Sequence, residues 1–336
     1  MIQIIRIFIP ENVMPKEITH WLVSLKTAEM LRGTMIGDAA LSNQNALILG
    51  AIFPDILYYL PNDPALSAYQ EIAHFLHGNN GEDTYELIRQ TLSVLKESPY
   101  RQEFLSFLLG VITHIQTDIV FHPMIYHLTG NYHDADPSRR NKAIEQHRRF
   151  ECLLDLYFCG GPRRLKEYSI KFVLKDLELP LSQIMELLQQ LKRRKVNLAE
   201  MNGVTIRALK NLRILQELYK NRLLAGAFYI IAPFFPGAVK ETAALFYSPQ
   251  LNRFIPQVSG TLHYKNPLTG EIKNTCLSEL FEKALEESYA LAGRIERTMA
   301  ADTKENFSER GPSLSYGLIV NQAKTPIYFA EKTFFD

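Results

Sequence analysis

With 336 residues the chain is long enough to bury a substantial core, as one large domain or two. Lys plus Arg number 37 and Asp plus Glu 36, so there is no net field to collect a polyanion, which argues against a dedicated nucleic-acid binder. The three cysteines, Cys152, Cys159 and Cys276, form no CxxC pair; they argue against a disulfide framework or a thiolate zinc site and fit a cytoplasmic protein.

At the start of the chain, residues 2–9 (IQIIRIFI) are apolar but short. They are interrupted by Arg6 and followed by PENV rather than a small-residue cleavage site. They are expected to be a strand-like extension, with Met14 as an alternative start, and not an export signal. From there helical periodicity dominates. Residues 17–32 place Ile18, Leu22, Leu25 and Met30 near one face and end before Gly33. Residues 43–59 read as a second apolar helix, kinked or entered at Pro54. Helices at 66–77 and 82–97 are separated by the turn signal Gly78–Gly81.

Residues 104–128 form a long helix that is apolar almost all round, the pattern of a bundle centre. A polar loop (TGNYHDADPSRR) leads to a helix at about 142–158, closed by Gly160-Gly161-Pro162. Further helices are predicted at 163–175, 180–193, 205–219, 222–247 and 277–300. Residues 257–274 read as a hairpin-like loop and 311–336 as an irregular tail. No uninterrupted apolar run reaches bilayer-spanning length. The fold class expected is all-α: a multi-helix bundle over residues 15–250, with a C-terminal helix and irregular extension over 251–336 packed on it.

Eight of the nine histidines fall between His20 and His147. His114, Asp118 and His122 follow one another at four-residue intervals, slightly more than one turn, so all three share a face of the most apolar helix. His147 and Glu151 repeat the spacing on the next helix. Asp55 lies in the apolar run GAIFPDILYY, and His74 and His77 form an i, i+3 pair. Burying an ionised carboxylate without compensation costs on the order of several kcal/mol. A dication removes that cost, and imidazole and carboxylate are its natural ligands; the excess of imidazole favours zinc over iron or manganese. Taken singly, a His-x-x-x-Asp pair is usually an ordinary hydrogen bond, and aromatic residues at helical spacing, such as Tyr58, Tyr59, Phe75, Tyr126 and Tyr132, are usually core. His133 lies in a loop where exposure is the default, and His263 stands apart. The metal reading rests on the conjunction of the two His-x-x-x-carboxylate pairs with Asp55 and His74.

The series THW at 19–21, GAIFPDILYY at 50–59, HFLHG at 74–78, GVITHIQTDIVFHP at 110–123 and HRRFECLLD at 147–155 resembles the bacterial zinc-dependent phospholipase C family over roughly residues 15–250. Carried over by position, the resemblance implies that Asp55, His74, His114 and Asp118 hold one zinc, with Asp118 able to bridge, and that His122, His147 and Glu151 hold a second. His77 and His127 are alternatives to His74 and His122. His20 resembles a histidine that helps to hold a third, exposed zinc. The secreted enzymes complete that site with an N-terminal tryptophan, whereas Trp21 here is internal, so two zinc ions are the expectation.

The implied chemistry is hydrolysis of a phospholipid or other phosphodiester by a hydroxide generated between the metals, with Asp55 as the catalytic carboxylate and with peripheral membrane contact. Three rivals differ in kind. A single-strand-specific zinc nuclease would share the scaffold but lacks supporting charge. A phosphohydrolase of the HD type would need His133-Asp134 in a helix. A metal-stabilised module that binds lipid or a partner would show no turnover.

Overall fold

The axis of the molecule is the 29-residue helix Arg101–Thr129, whose residues are buried almost without break from Phe104 onward. The computed structural model describes residues 17–189, 198–235, 237–301, 307–320 and 325–336. The described residues are mostly helical, with 67% helix and 3% strand. The start of the chain, including residues 2–9 and Met14, and the end of the helix predicted over 180–193 lie outside the described residues. Helices Glu17–Met30, Met35–Ser42, Gln44–Gly50 and Leu277–Ala300 pack around the axial helix, and Pro137–Phe158 crosses it near its C-terminal half. By length and hydropathy the axial helix could cross a membrane, yet 94% of its apolar window is buried inside the protein, as befits a core helix.

One close approach fixes the packing. A Cβ added at Gly110 would lie 2.2 Å from the Leu47 carbonyl oxygen, and one at Gly50 would lie 2.1 Å from that of Phe107. The two helices therefore meet backbone to backbone, a contact only glycine permits. The element after this contact departs from the sequence expectation. Residues 43–59 are not one helix: Gln44–Gly50 stops, and Phe53–Tyr59 continues as a 3-10 turn with Pro54 at its start. Proline lacks the N–H that an α-helix needs there, and the chain re-enters at a new angle.

Similar corrections apply elsewhere. Met35–Ser42 forms a short helix capped by Thr34, which accepts from the Gly37 amide. The helix expected from 142 begins at Pro137, because Asp136 caps it by accepting from the Ser138 amide and Pro137 takes a first-turn position. Residues 222–247 divide into Arg222–Ile231, a 3-10 turn Ala232–Phe234 containing Pro233, and Gly237–Ala243. The hairpin is real but short, pairing Leu262–Lys265 antiparallel with Ile272–Thr275. After residue 301 the described residues hold no helix or strand.

The first helix is pinned from outside itself. Asp155, fully buried on Pro137–Phe158, accepts from the Thr19 amide at 2.8 Å, from the Thr19 hydroxyl at 2.6 Å and from the Tyr247 hydroxyl at 2.7 Å. A carboxylate placed at a helix N-terminus satisfies orphan amides and opposes the helix dipole favourably. Here it also sets where His20, one residue further on, can point.

Candidate metal centre

Four segments bring imidazoles and carboxylates to one buried place. The axial helix supplies His114, Asp118 and His122, the Glu17–Met30 helix His20, the turn Phe53–Tyr59 Asp55, and Pro137–Phe158 His147 and Glu151. The C-terminal end of Ser67–Leu76 adds His77. Three groups emerge whose ligand-type atoms lie within 4.8 Å of one another: His20 with Asp55 and His114; His77 with His114 and Asp118; and His122 with His147 and Glu151.

The outward-facing nitrogens of three rings are held by backbone carbonyls. His114 Nδ1 is 2.9 Å from the Ala51 oxygen, an acceptor brought within reach by the Gly50–Gly110 contact. His77 Nδ1 is 2.7 Å from the Ala73 oxygen, and His122 Nδ1 is 3.1 Å from that of Leu314 in the C-terminal tail. A carbonyl only accepts, so each Nδ1 carries the proton and each Nε2 is left to face inward with a lone pair or a second proton. Histidines that bind metal through one ring nitrogen are commonly held in this way, the other nitrogen donating to a carbonyl that fixes the ring.

Inside, Asp118 stands between the groups. Its Oδ2 is 3.3 Å from His114 Nε2, and its Oδ1 is 3.4 Å from His20 Nε2 and 3.6 Å from His122 Nε2. Glu151 Oε1 is 3.2 Å from His147 Nε2 and 3.7 Å from His122 Nε2, while Asp55 Oδ1 is 2.9 Å from His77 Nε2. Although close, several of these atoms make no aligned hydrogen bond: Asp55 Oδ1, His77 Nε2, His114 Nε2, His147 Nε2 and Glu151 Oε2 are buried and unpartnered. Orphaned buried polar atoms are rare and costly. Two ligands about 2.1 Å from one tetrahedral zinc stand about 3.4 Å apart, which is the spacing seen here. The residues fit a zinc site on donor type, spacing and unsatisfied valence.

Electrostatics say the same. Burial works to strip the proton from His114, but Asp118 and Asp55 outweigh it and hold the pKa at about 9. Burial likewise opposes protonation of His122, and Asp118 and Glu151 reverse it, again to about 9. His20 goes the other way, lowered to about 4 by burial and the neighbouring His114. Burial disfavours ionisation of Asp118, yet His122, His114 and His20 hold its carboxyl far below the usual range; burial also opposes ionisation of Glu151, and His147 with His122 lowers it. Without metal, protons must supply the positive charge that the carboxylates require; a dication does the same work.

Of the residues singled out by sequence, His20, Asp55, His114, Asp118, His122, His147 and Glu151 come together. His74 does not: the three groups take in His77 instead, and His74 Nδ1 lies 3.2 Å from the Tyr58 hydroxyl and 3.1 Å from the Asn79 amide nitrogen. Between the alternatives at the other end, His122 faces Glu151, whereas His127 Nδ1 is 2.7 Å from the Tyr328 oxygen and fastens the tail. His133 is exposed in the turn before Pro137, and His263 is exposed on the hairpin, paired with Asn274. Trp21 is buried inside the first helix. Leu314 was invisible to sequence reading, since a backbone carbonyl has no signature. His20, Asp55 and Glu151 each keep 12–13% of their side-chain surface, against 1% or less for His77, His114 and His147, so the centre opens on their side.

Residues 19–200, more than half of the chain, match the family model described as zinc dependent phospholipase C. The matched span contains every residue of the three groups. Searches of curated proteins and of solved structures return no match.

Proposed function

The chain belongs to the zinc-dependent phospholipase C family, and from that membership we propose that it hydrolyses a phospholipid phosphodiester at the buried His/Asp/Glu centre. The observation that carries this reading is the gathering, within the three His/Asp/Glu groups, of the buried unpartnered atoms Asp55 Oδ1, His77 Nε2, His114 Nε2, His147 Nε2 and Glu151 Oε2. On this reading His77, His114, Asp118 and Asp55 would hold one zinc, and His122, His147 and Glu151 would hold another, with Asp118 standing between the two sets. His20 stands beside the first. When bound, zinc would supply Lewis acidity for water activation and for the charge that builds on the phosphoryl oxygens.

The protein's own part is positional. The backbone carbonyls of Ala51, Ala73 and Leu314 fix the ring orientations, so the inward nitrogens are aimed before substrate arrives. Asp55 would both ligate and orient the attacking water, taking its proton as oxygen bonds to phosphorus and returning it to the glycerol oxygen as the phosphorus–oxygen bond to that side breaks. Tyr58, its ring centroid 5.3 Å from that of His77, and Tyr126, 4.8 Å from His147, form apolar walls that keep bulk water away from the ligands. Products are a diacylglycerol and a phosphorylated head group. We take residues 15–250 as the catalytic helical domain and the rest as an extension that completes it through Leu314. Phospholipid hydrolysis is the test: activity should vanish with chelator and return with zinc. Zinc-loaded protein with no turnover of any phospholipid or soluble phosphodiester would overturn the reading.

A further inference from the structure

Away from the metal centre, the helix Arg222–Ile231 and the turn Ala232–Phe234 that follows it carry their apolar side outward. Leu223 is 86% exposed, Ile230 66%, Ile231 49% and Phe234 85%, while Ala225 and Ala232 point inward and are buried. Leu223, Ile230 and Ile231, at i, i+7 and i+8, fall on one face of the α-helix, and Phe234 is exposed in the 3-10 turn that continues it, so the four make an apolar strip along this segment. Single exposed apolar residues are ordinary, but a contiguous stripe of large ones marks an interaction surface.

The strip carries net positive charge at both ends, most of it at the Arg222 end. At the Arg222 end a cleft of about 410 Å³ is lined by Arg163, Lys166, Lys171, Lys220 and Arg222 against a single acid, Glu217, and Phe172, 59% exposed, stands in the same cleft. At the other end Arg149 and Lys240 line a smaller cleft with Tyr229, Ala232, Pro233 and Glu145; Glu145 pairs with Arg149 at 3.2 Å, which leaves Lys240 as the cation there. The whole chain has a net charge of only +1, so this is a local concentration rather than a general basicity. A second copy of the chain is a poor occupant, because an isologous contact would bring net positive charge against net positive charge with no acidic patch to answer it among the cleft-lining residues. An apolar strip flanked by cations matches an anionic phospholipid surface, whose headgroup phosphates overlie its acyl chains.

We propose that this face docks the protein on anionic phospholipid membranes, with Leu223, Ile230, Ile231 and Phe234 entering the headgroup–acyl boundary and the exposed Arg163, Lys166, Lys171 and Arg222 pairing with lipid phosphates. The docking goes beyond the hydrolytic reading and does not require it. The two sites share a helix, since Pro137–Phe158 carries His147 and Glu151 to the metal centre and Arg149 to the cleft beside Tyr229.

The test is sedimentation of the full chain with vesicles of phosphatidylcholine alone or mixed with phosphatidylglycerol, in chelator so that no lipid is consumed. Wild type should bind the mixed vesicles, and less so as salt rises. The triple variant Leu223→Ser/Ile230→Ser/Phe234→Ser should lose about tenfold or more in partitioning. Arg222→Glu with Lys171→Glu should lose about fivefold or more per residue at low salt. All variants should melt like wild type and hydrolyse a water-soluble phosphodiester at the wild-type rate with zinc. Equal partitioning of wild type and variants would overturn docking, as would a wild-type dimer that the triple variant dissolves in the absence of vesicle binding. Vesicle binding in chelator, with no phospholipid turnover once zinc is restored, would instead strike only at the hydrolytic reading.

Discussion

His122 donates from Nδ1 to the carbonyl of Leu314, a bond that spans 192 residues of sequence and joins the axial helix to the C-terminal tail. The Leu314 amide in turn donates to the His77 carbonyl at 3.0 Å. One fully buried tail residue thus braces two histidines of the candidate centre from a segment outside the family match. The tail is held down at Gly317, whose φ is +67° and where a Cβ would lie 2.8 Å from the Ile119 oxygen. Gly317→Val should lift the tail and release His122. Zinc affinity measured by competition with a chelating dye should fall about 10- to 100-fold, the usual cost of losing such support.

The glycine contact that places Ala51 beneath His114 makes a second expectation. Gly110→Ala would drive a methyl group into the Leu47 backbone, which cannot move aside as a side chain can. Stability should fall by roughly 3 kcal/mol in urea denaturation. Zinc affinity should fall as well, because the Ala51 carbonyl leaves His114.

His74 and His77 should behave differently despite their spacing. His77→Ala removes a nitrogen 2.9 Å from Asp55 and should lower bound zinc measured by mass spectrometry. His74→Ala removes a ring beside Tyr58 and Asn79 and should leave zinc content unchanged. Equal loss in both would return His74 to the ligand set.

The metal-free protein should lose stability on the alkaline side. His114 and His122 have folded-state pKa values raised to about 9, above the ordinary 6.5. Their stabilisation is therefore fully present below about pH 6.5 and is lost as pH rises through about 9, together on the order of a few kcal/mol. Asp118 and Glu151 are held low, so their contribution is present above the ordinary carboxylate range and is lost as pH falls. Urea midpoints in chelator should decline from pH 6.5 to 9. With zinc that decline should disappear, because the metal replaces the protons.

The helical bundle and most of the centre were legible in the sequence because helices repeat locally. His114, Asp118 and His122 lie on one helix, as do His147 and Glu151, so spacing alone puts them on shared faces. What could not be read was set by contacts between segments. Whether His74 or His77 turns inward depends on how Ser67–Leu76 sits against Tyr58, and the support from Leu314 uses only backbone. Proline positions carried more information than periodicity conceded: Pro54 and Pro233 end α-helical geometry where apolar patterning runs on, and Pro137 opens a helix inside an apparent loop.

Metal content by mass spectrometry on purified full-length protein, beside Asp118→Ala and Glu151→Ala, tests the metal centre most directly. Asp118 touches His20, His114 and His122, and Glu151 touches His122 and His147. The expected result is two or more zinc ions per chain in wild type, with loss in both variants. Wild-type protein that holds no stoichiometric zinc after loading, or variants that retain all of it, would contradict a zinc centre built on these residues.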